Sequence, residues 1–172
     1  KIKEKIQEKS KDFKDRVFVF NDNGNLRIEI TDTDGDSFYA PGGAEINDNG
    51  KALLNEIAML LVGVDNKIII EGHTDSITYK SKDKSNWDLS TLRALNARQI
   101  LEKAGVKSDQ VRQVAGYAAT RPFVKGNPAD AKNRRISIVI DYNATKGKSP
   151  PLPGHADNEA PWLIDKYQQG NR

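Results

Sequence analysis

The chain has no cysteine in its 172 residues, which excludes disulfides and thiolate metal sites. Long apolar runs are also missing: nothing approaches the roughly 20 residues that a membrane helix needs. Neither sign of charge dominates, with 27 basic and 24 acidic residues and a net charge of +3. That balance argues against nucleic acid as a partner. The basic clusters at residues 1–14 and 146–148 lack the interleaved aromatics that stack bases, and aromatics make up only 7% of the chain. Histidine is scarce as well. With His73 and His155 far apart in sequence, no metal cluster is available, and no cofactor is called for. No signal peptide is visible and the first residue is Lys rather than Met, so an anchor or signal is expected upstream in the full-length protein.

What is there reads as one domain with extensions. Residues 1–16 carry Ile2, Ile6, Phe13 and Val17 at helical spacing. The stripe is too thin for a helix that stands alone. It is either a solvated linker or a helix that pairs with a second copy or folds back on the domain. A domain is expected over residues 17–143. Residues 17–20 and 26–30 are strand candidates, the second alternating Leu26, Ile28 and Ile30 with Arg27 and Glu29, and Asn21 to Asn25 supplies hairpin chemistry. Asp32, Asp34 and Asp36 surround Gly35, but a calcium loop needs its Gly two steps later and a Glu where Gly43 stands. The run is read as an acidic turn.

A first helix is expected from Asp48, capped by Asn47 or Asp48 and ended by Gly63, with Leu53, Leu54, Ile57, Leu60 and Leu61 inward. Residues 67–71, with Ile68-Ile69-Ile70, suit a central strand. Residues 76–88 read as a polar loop. Ser90 then serves as N-cap of a second helix running to Ala104, with Ala94, Ala97 and Leu101 on a narrow face and Gly105 as its stop. Residues 111–116 and 135–142 complete the strands. The order describes an α/β two-layer sandwich with a mixed sheet. Residues 144–172 form a Pro-rich tail, with one apolar cluster at 161–164.

The chemistry concentrates where the central strand opens into Thr74 and Asp75, and where Arg93 falls in the expected first turn of the second helix. One acid and one base at the mouths of packed elements suit the grip of a zwitterion. A purely structural ion pair between them is the alternative. No nucleophile elbow, phosphate loop or pair of glycosidase carboxylates is present. His73 and Asp75 as base and acid of a hydrolase is the weaker, enzymatic reading.

The motifs Gly72-His73-Thr74-Asp75, Ser85-Asn86-Trp87-Asp88-Leu89-Ser90, Arg93-Ala94, Val114-Ala115-Gly116 and Asn133-Arg134-Arg135 resemble the OmpA-like peptidoglycan-binding domain over about residues 38–141. Asn86 to Ser90 and Ala118-Ala119-Thr120 resemble its MotB-type members, the B subunits of flagellar motor stators. The resemblance implies a βαβαββ-type core. It also implies a non-catalytic grip on the diaminopimelate of the wall's stem peptide, with Asp75 taking the ammonium and Arg93 the carboxylate. The N-terminus of the second helix would add its dipole. Thr74 serves the turn or donates one bond, Asn133 and Arg134 lie near the pocket, Arg135 points into structure, and Phe38 with residues 40–42 forms the opposite wall. Further implications are a homodimer, a stator A subunit contacted through a missing membrane segment, and a periplasmic domain of a single-pass inner-membrane protein. The runners-up are a general envelope tether and a MotB-like subunit of another ion-driven complex.

Overall fold

A computed structural model of the chain describes residues 4–6, 8, 13, 15–40, 42–78 and 84–142. The tail at 144–172, with its apolar cluster, lies outside the described residues, as do much of the first charged stretch and part of the polar loop before the second helix.

Among the described residues, five strands and two long helices carry the fold: β1 (Val17–Asp22), β2 (Asn25–Thr31), α1 (Asp48–Leu61), β3 (Lys67–His73), α2 (Asn86–Lys103), β4 (Val111–Gly116) and β5 (Arg135–Asp141). They form one mixed sheet in the order β1-β2-β5-β3-β4. Only β3 and β4 run parallel. The β1–β2 hairpin turns on Asn23 and Gly24, both at positive φ (51° and 83°), which is the left-handed pair a two-residue hairpin loop requires.

One sheet face is apolar in three rows. Leu26, Ile140 and Ile68 form one, Ile28, Ile138 and Ile70 the second, and Ile30 and Ile136 run to Gly72 in the third. All the named isoleucines and Leu26 are buried, and Leu53, Leu54, Ile57 and Leu61 of α1 and Ala94, Ala97 and Leu101 of α2 join the same core. Burying side chains of this size contributes about 1.5–3 kcal/mol each. Ile6 is also fully buried in this core and Phe13 packs against it, so these two positions of the leading segment fold back on the domain.

The helices differ from the sequence reading in their ends. Asn47 caps α1 by accepting from Gly50 N at 2.9 Å. Gly63 follows the helix but is not left-handed. Gly105, which is (φ 109°), ends α2 as expected. The start of α2 is corrected by a full turn. Ser85 is the N-cap, in a reciprocal capping box with Asp88. Ser90 lies inside the helix instead, where its hydroxyl accepts from Ala118 N at 3.0 Å and donates to Trp87 O. Arg93 is therefore two turns into α2 rather than in its first turn, and the helix-dipole argument for its ligand falls away.

A glycine pair sets the height of α2 over the sheet. Gly72 and Gly116 are register partners in β3 and β4. A Cβ on Gly72 would sit 1.9 Å from Ser90 O, and one on Gly116 2.2 Å from Thr91 Oγ1. The helix backbone thus rests on strand backbone at the end where the site is built.

The other sheet face is unexpectedly polar. Arg27 joins Asp22 (2.8 Å) and Glu71 (2.6 Å), Arg135 joins Glu29 (2.9 Å), and Ser137 also donates to Glu29. Glu29, Glu71, Arg135 and Ser137 are all buried. Phe123 from the β4–β5 connection packs against Phe18 at 5.2 Å and lies beneath the Arg135 guanidinium.

Candidate ligand cleft

The C-terminal end of β3, the N-terminal end of β5 and the middle of α2 meet at one end of the sheet, facing the loop after β2. Between them lies a cleft of about 390 Å³, lined by Tyr39, Thr74, Asp75, Leu89, Arg93 and Arg134 among others. Asp75 and Arg93, eighteen positions apart, do share this cleft. They are not each other's ion-pair partners: among the described residues, the Asp75 carboxylate is held by Arg134 Nη1, at 2.7 Å.

Among the described residues, no carboxylate holds Arg93. Its side chain is almost wholly buried (3% exposed), its Nε donates to Gly43 O at 3.0 Å, and its guanidinium stacks over Tyr39 at 4.0 Å. Nη1 is buried with no hydrogen-bond partner. Burial pulls the guanidinium below its ordinary pKa, against the opposing pull of nearby acids. A buried, under-satisfied cation at a cleft wall is costly unless an anion completes it. Asp75, 5% exposed, uses Oδ1 to accept from Ile77 N (3.1 Å) and Oδ2 for Arg134. Thr74 lines the cleft with its hydroxyl unpartnered, while its backbone N–H bonds Ala118 O at 2.9 Å.

Two expected site residues belong elsewhere. Phe38 is core: it is buried, does not line the cleft, and lies under the Arg16 guanidinium at 4.6 Å. Its neighbour Tyr39 forms the wall instead. Asn133 is fully buried and braces the β4–β5 connection, accepting from Val124 N and donating to Asn127 O and Pro128 O. It sets where Arg134 starts but does not face the cleft. Arg135 points into the polar face, as read. Asp32 was missed. It is fully buried and accepts from Phe38 N, Ser37 Oγ and Arg134 Nε, so it ties the wall loop to Arg134. No periodicity marks it, because Arg134 lies 102 positions away. No described group of acids and histidines is arranged to hold a metal.

Ala118 adopts φ 48°, a left-handed conformation costing an alanine about 1–2 kcal/mol. Its N–H goes to α2 and its carbonyl to Thr74, so the strained residue clamps together the two elements that carry Arg93 and Asp75.

His73 leads directly into Thr74. It is buried, stacks on Tyr117 at 5.5 Å, and stands 3.7 Å from Glu71. Burial, only partly countered by Glu71, pushes its pKa down to about 4. The folded value lies below the ordinary 6.5, so the unfolded chain takes up the proton first. The stabilisation is complete above about pH 6.5 and is lost as pH falls toward 4, a loss of about 3 kcal/mol. Burial alone would raise Glu71, but His73 and Arg27 outweigh it and hold it at about 2, which extends the loss below pH 4.5. Glu29, raised chiefly by burial, acts in the opposite sense above pH 4.5. Thermal midpoints of wild type and His73→Phe between pH 7 and 4 should diverge, with the variant the flatter. Parallel curves would mean His73 titrates normally.

Known proteins place this arrangement in a family. The OmpA family model matches residues 38–135. A truncated flagellar export/assembly protein, LafU, of Escherichia coli (strain K12) is 44% identical over 148 residues, covering 84% of this chain and 69% of that one. Motility protein B of the same organism is 39% identical over 117 residues, 67% of this chain but only 38% of its own length. Among solved structures, the cell wall anchor of the T6SS from Pseudomonas aeruginosa superimposes with a TM-score of 0.66 at 24% identity, covering 79% of this chain and 94% of that one, a likeness of fold. With the matched segment running from the wall loop through Asp75 and Arg93 to the strand that begins after Arg134, the chain belongs to the OmpA family.

Proposed function

We propose that this domain binds peptidoglycan without catalysing its breakdown, by gripping the free end of diaminopimelate in the stem peptide. The observation that carries the reading is the Arg93 guanidinium, which is buried, lines the same cleft as Asp75 and lacks a carboxylate partner among the described residues. An amino-acid terminus supplies a carboxylate for Arg93 and an ammonium for the Asp75 side. Thr74 and Asn86 offer further polar contacts on the lining. No nucleophile with an oriented base lines the cleft among the described residues, and His73, the one described histidine, is buried away from it against Tyr117.

The names of its relatives, motility protein B and LafU, favour a flagellar stator as the setting. The domain would then lie in the periplasm as a dimer. A single inner-membrane helix outside this chain would join it to the stator A subunit and to the ion path. No helix among the described residues is long and apolar enough to cross a membrane. A second reading, a wall tether for another envelope machine, is favoured by the likeness to a T6SS cell wall anchor.

The test is co-sedimentation with purified peptidoglycan, in competition with a tripeptide ending in diaminopimelate. Retention that the tripeptide displaces is the expected result. No retention would remove the binding function, and release of soluble wall fragments would make the protein a hydrolase.

A further inference from the structure

The two charges of the cleft are not equally available. Arg134 spans two acids: Nε donates to Asp32 Oδ2 at 3.0 Å and Nη1 to Asp75 Oδ2 at 2.7 Å. Asp32 is fully buried and is further fixed by Phe38 N and Ser37 Oγ, so the Nε leg is anchored. The Nη1 leg reaches the cleft wall on a side chain that is 26% exposed. Burial opposes the charge on Arg134, but Asp75 and Asp32 together raise its pKa above the ordinary value. Both acids of the site thus share one guanidinium as their ion-pair partner. Arg93, the other cation, has a backbone carbonyl and an aromatic face, and a buried Nη1 with nothing to bond.

We infer that Arg134 makes this cleft a carboxylate-first receptor, in which it, rather than Asp75, sets how much the ligand's ammonium is worth. The inference rests on the wall-binding reading above. A ligand carboxylate arriving at Arg93 completes a desolvated cation and has no carboxylate to displace among the described residues. A hydrogen bond to a charged group of this kind is worth about tenfold to a hundredfold in affinity. An ammonium arriving at Asp75 meets a carboxylate already paired. If it displaces Nη1, one charged bond replaces another. If it shares Asp75 with Nη1, it sits beside a like charge. Either way its net contribution is small, because only the difference between the two states counts. Arg134, still held by Asp32, stays close enough to reclaim Asp75. It follows that a stem whose side-chain nitrogen has been acylated, as in a crosslink, retains the larger part of the recognition, whereas a stem with that carboxylate amidated does not.

The experiment compares three ligands by calorimetry on the whole chain: a stem tripeptide ending in diaminopimelate, its analogue lacking the side-chain amine, and its analogue with the side-chain carboxylate converted to carboxamide. In the wild type, the deamino analogue should bind within about threefold of the parent and the carboxamide at least about tenfold more weakly. In Arg134→Gln, which frees Asp75, the deamino penalty should grow to about tenfold. Arg134→Lys keeps a cation there and should keep the penalty small. A merely structural role for Arg134 would move all three affinities together. A deamino penalty equal to or larger than the carboxamide penalty in the wild type overturns the inference even if Arg134→Gln does not fold. An unchanged penalty in a folded Arg134→Gln overturns the role of Arg134. Failure of the parent tripeptide to bind would overturn the wall-binding reading, and this inference with it.

Discussion

Replacing Arg93 by Ala should lower affinity for purified peptidoglycan by about thirtyfold or more, enough to remove retention in a co-sedimentation assay. The size follows from where the guanidinium stands. It is buried, stacked on Tyr39 and tied to Gly43 O, so it meets a ligand already oriented and stripped of water. Truncation would leave the ligand carboxylate facing an apolar hole. The folded state should suffer much less. Alanine loses the stacking and one hydrogen bond, but it also removes an incompletely satisfied buried cation, so the net cost is about 1–2 kcal/mol. Arg93→Lys keeps the charge and loses the planar fork, and should recover only part of the binding. Asp75→Asn should weaken binding less than Arg93→Ala, since Asp75 is already committed to Arg134. Wild-type retention by a folded Arg93→Ala protein would remove the cleft from the account.

Gly72→Ala is expected to be the most damaging small substitution in the domain. The new methyl would meet a main-chain carbonyl, Ser90 O, at 1.9 Å and the Ala94 methyl at 3.3 Å. A backbone atom cannot swing aside as a side-chain tip can. Either β3 or α2 must move, at a cost of about 3 kcal/mol or more. In a domain of this size that lowers the thermal midpoint by on the order of 10 °C. Any molecules that fold would carry Arg93 on a displaced helix, so binding should fall further than stability explains. Gly63→Ala and Gly126→Ala are the controls. Neither site has an atom within 4 Å of the added carbon or a positive φ, and each should shift the midpoint little. A Gly72→Ala midpoint close to wild type would show that α2 does not rest on the strand as described.

Much of this was legible in the chain. The alternation Leu26-Arg27-Ile28-Glu29-Ile30, the run Ile68-Ile69-Ile70 and the Asn23-Gly24 turn specify strands and a hairpin by local rules. The small face Ala94, Ala97, Leu101 marks a helix lying close on a sheet. Asp75 and Arg93, which the sequence reading pairs, line one cleft. The helix start was missed because the inward-facing positions begin a turn after the helix does. Its first turn, Asn86-Trp87-Asp88, is polar or exposed, and Ser90 offered a second plausible cap. The ion-pair partner of Asp75 was missed for another reason. Arg134 is 59 positions away, and only the antiparallel placement of β5 beside β3 brings it there. Phe38 and Asn133 are neighbours in sequence of true cleft residues, Tyr39 and Arg134, and adjacency in a chain does not say which of two consecutive side chains turns outward. The polar sheet face was unreadable because Glu29, Glu71 and Arg135 look like solvent positions until their pairing is known.

The position of β3 has a mechanical consequence. The strand runs straight into Thr74 and Asp75 and is laddered along its length to β5 on one side and β4 on the other. A pull on a molecule seated against Asp75, directed along the strand axis, strains both ladders in shear at once. Their hydrogen bonds lie across the strands, so they would share the tension together rather than tear open one at a time, as they would if the strand were peeled from its end.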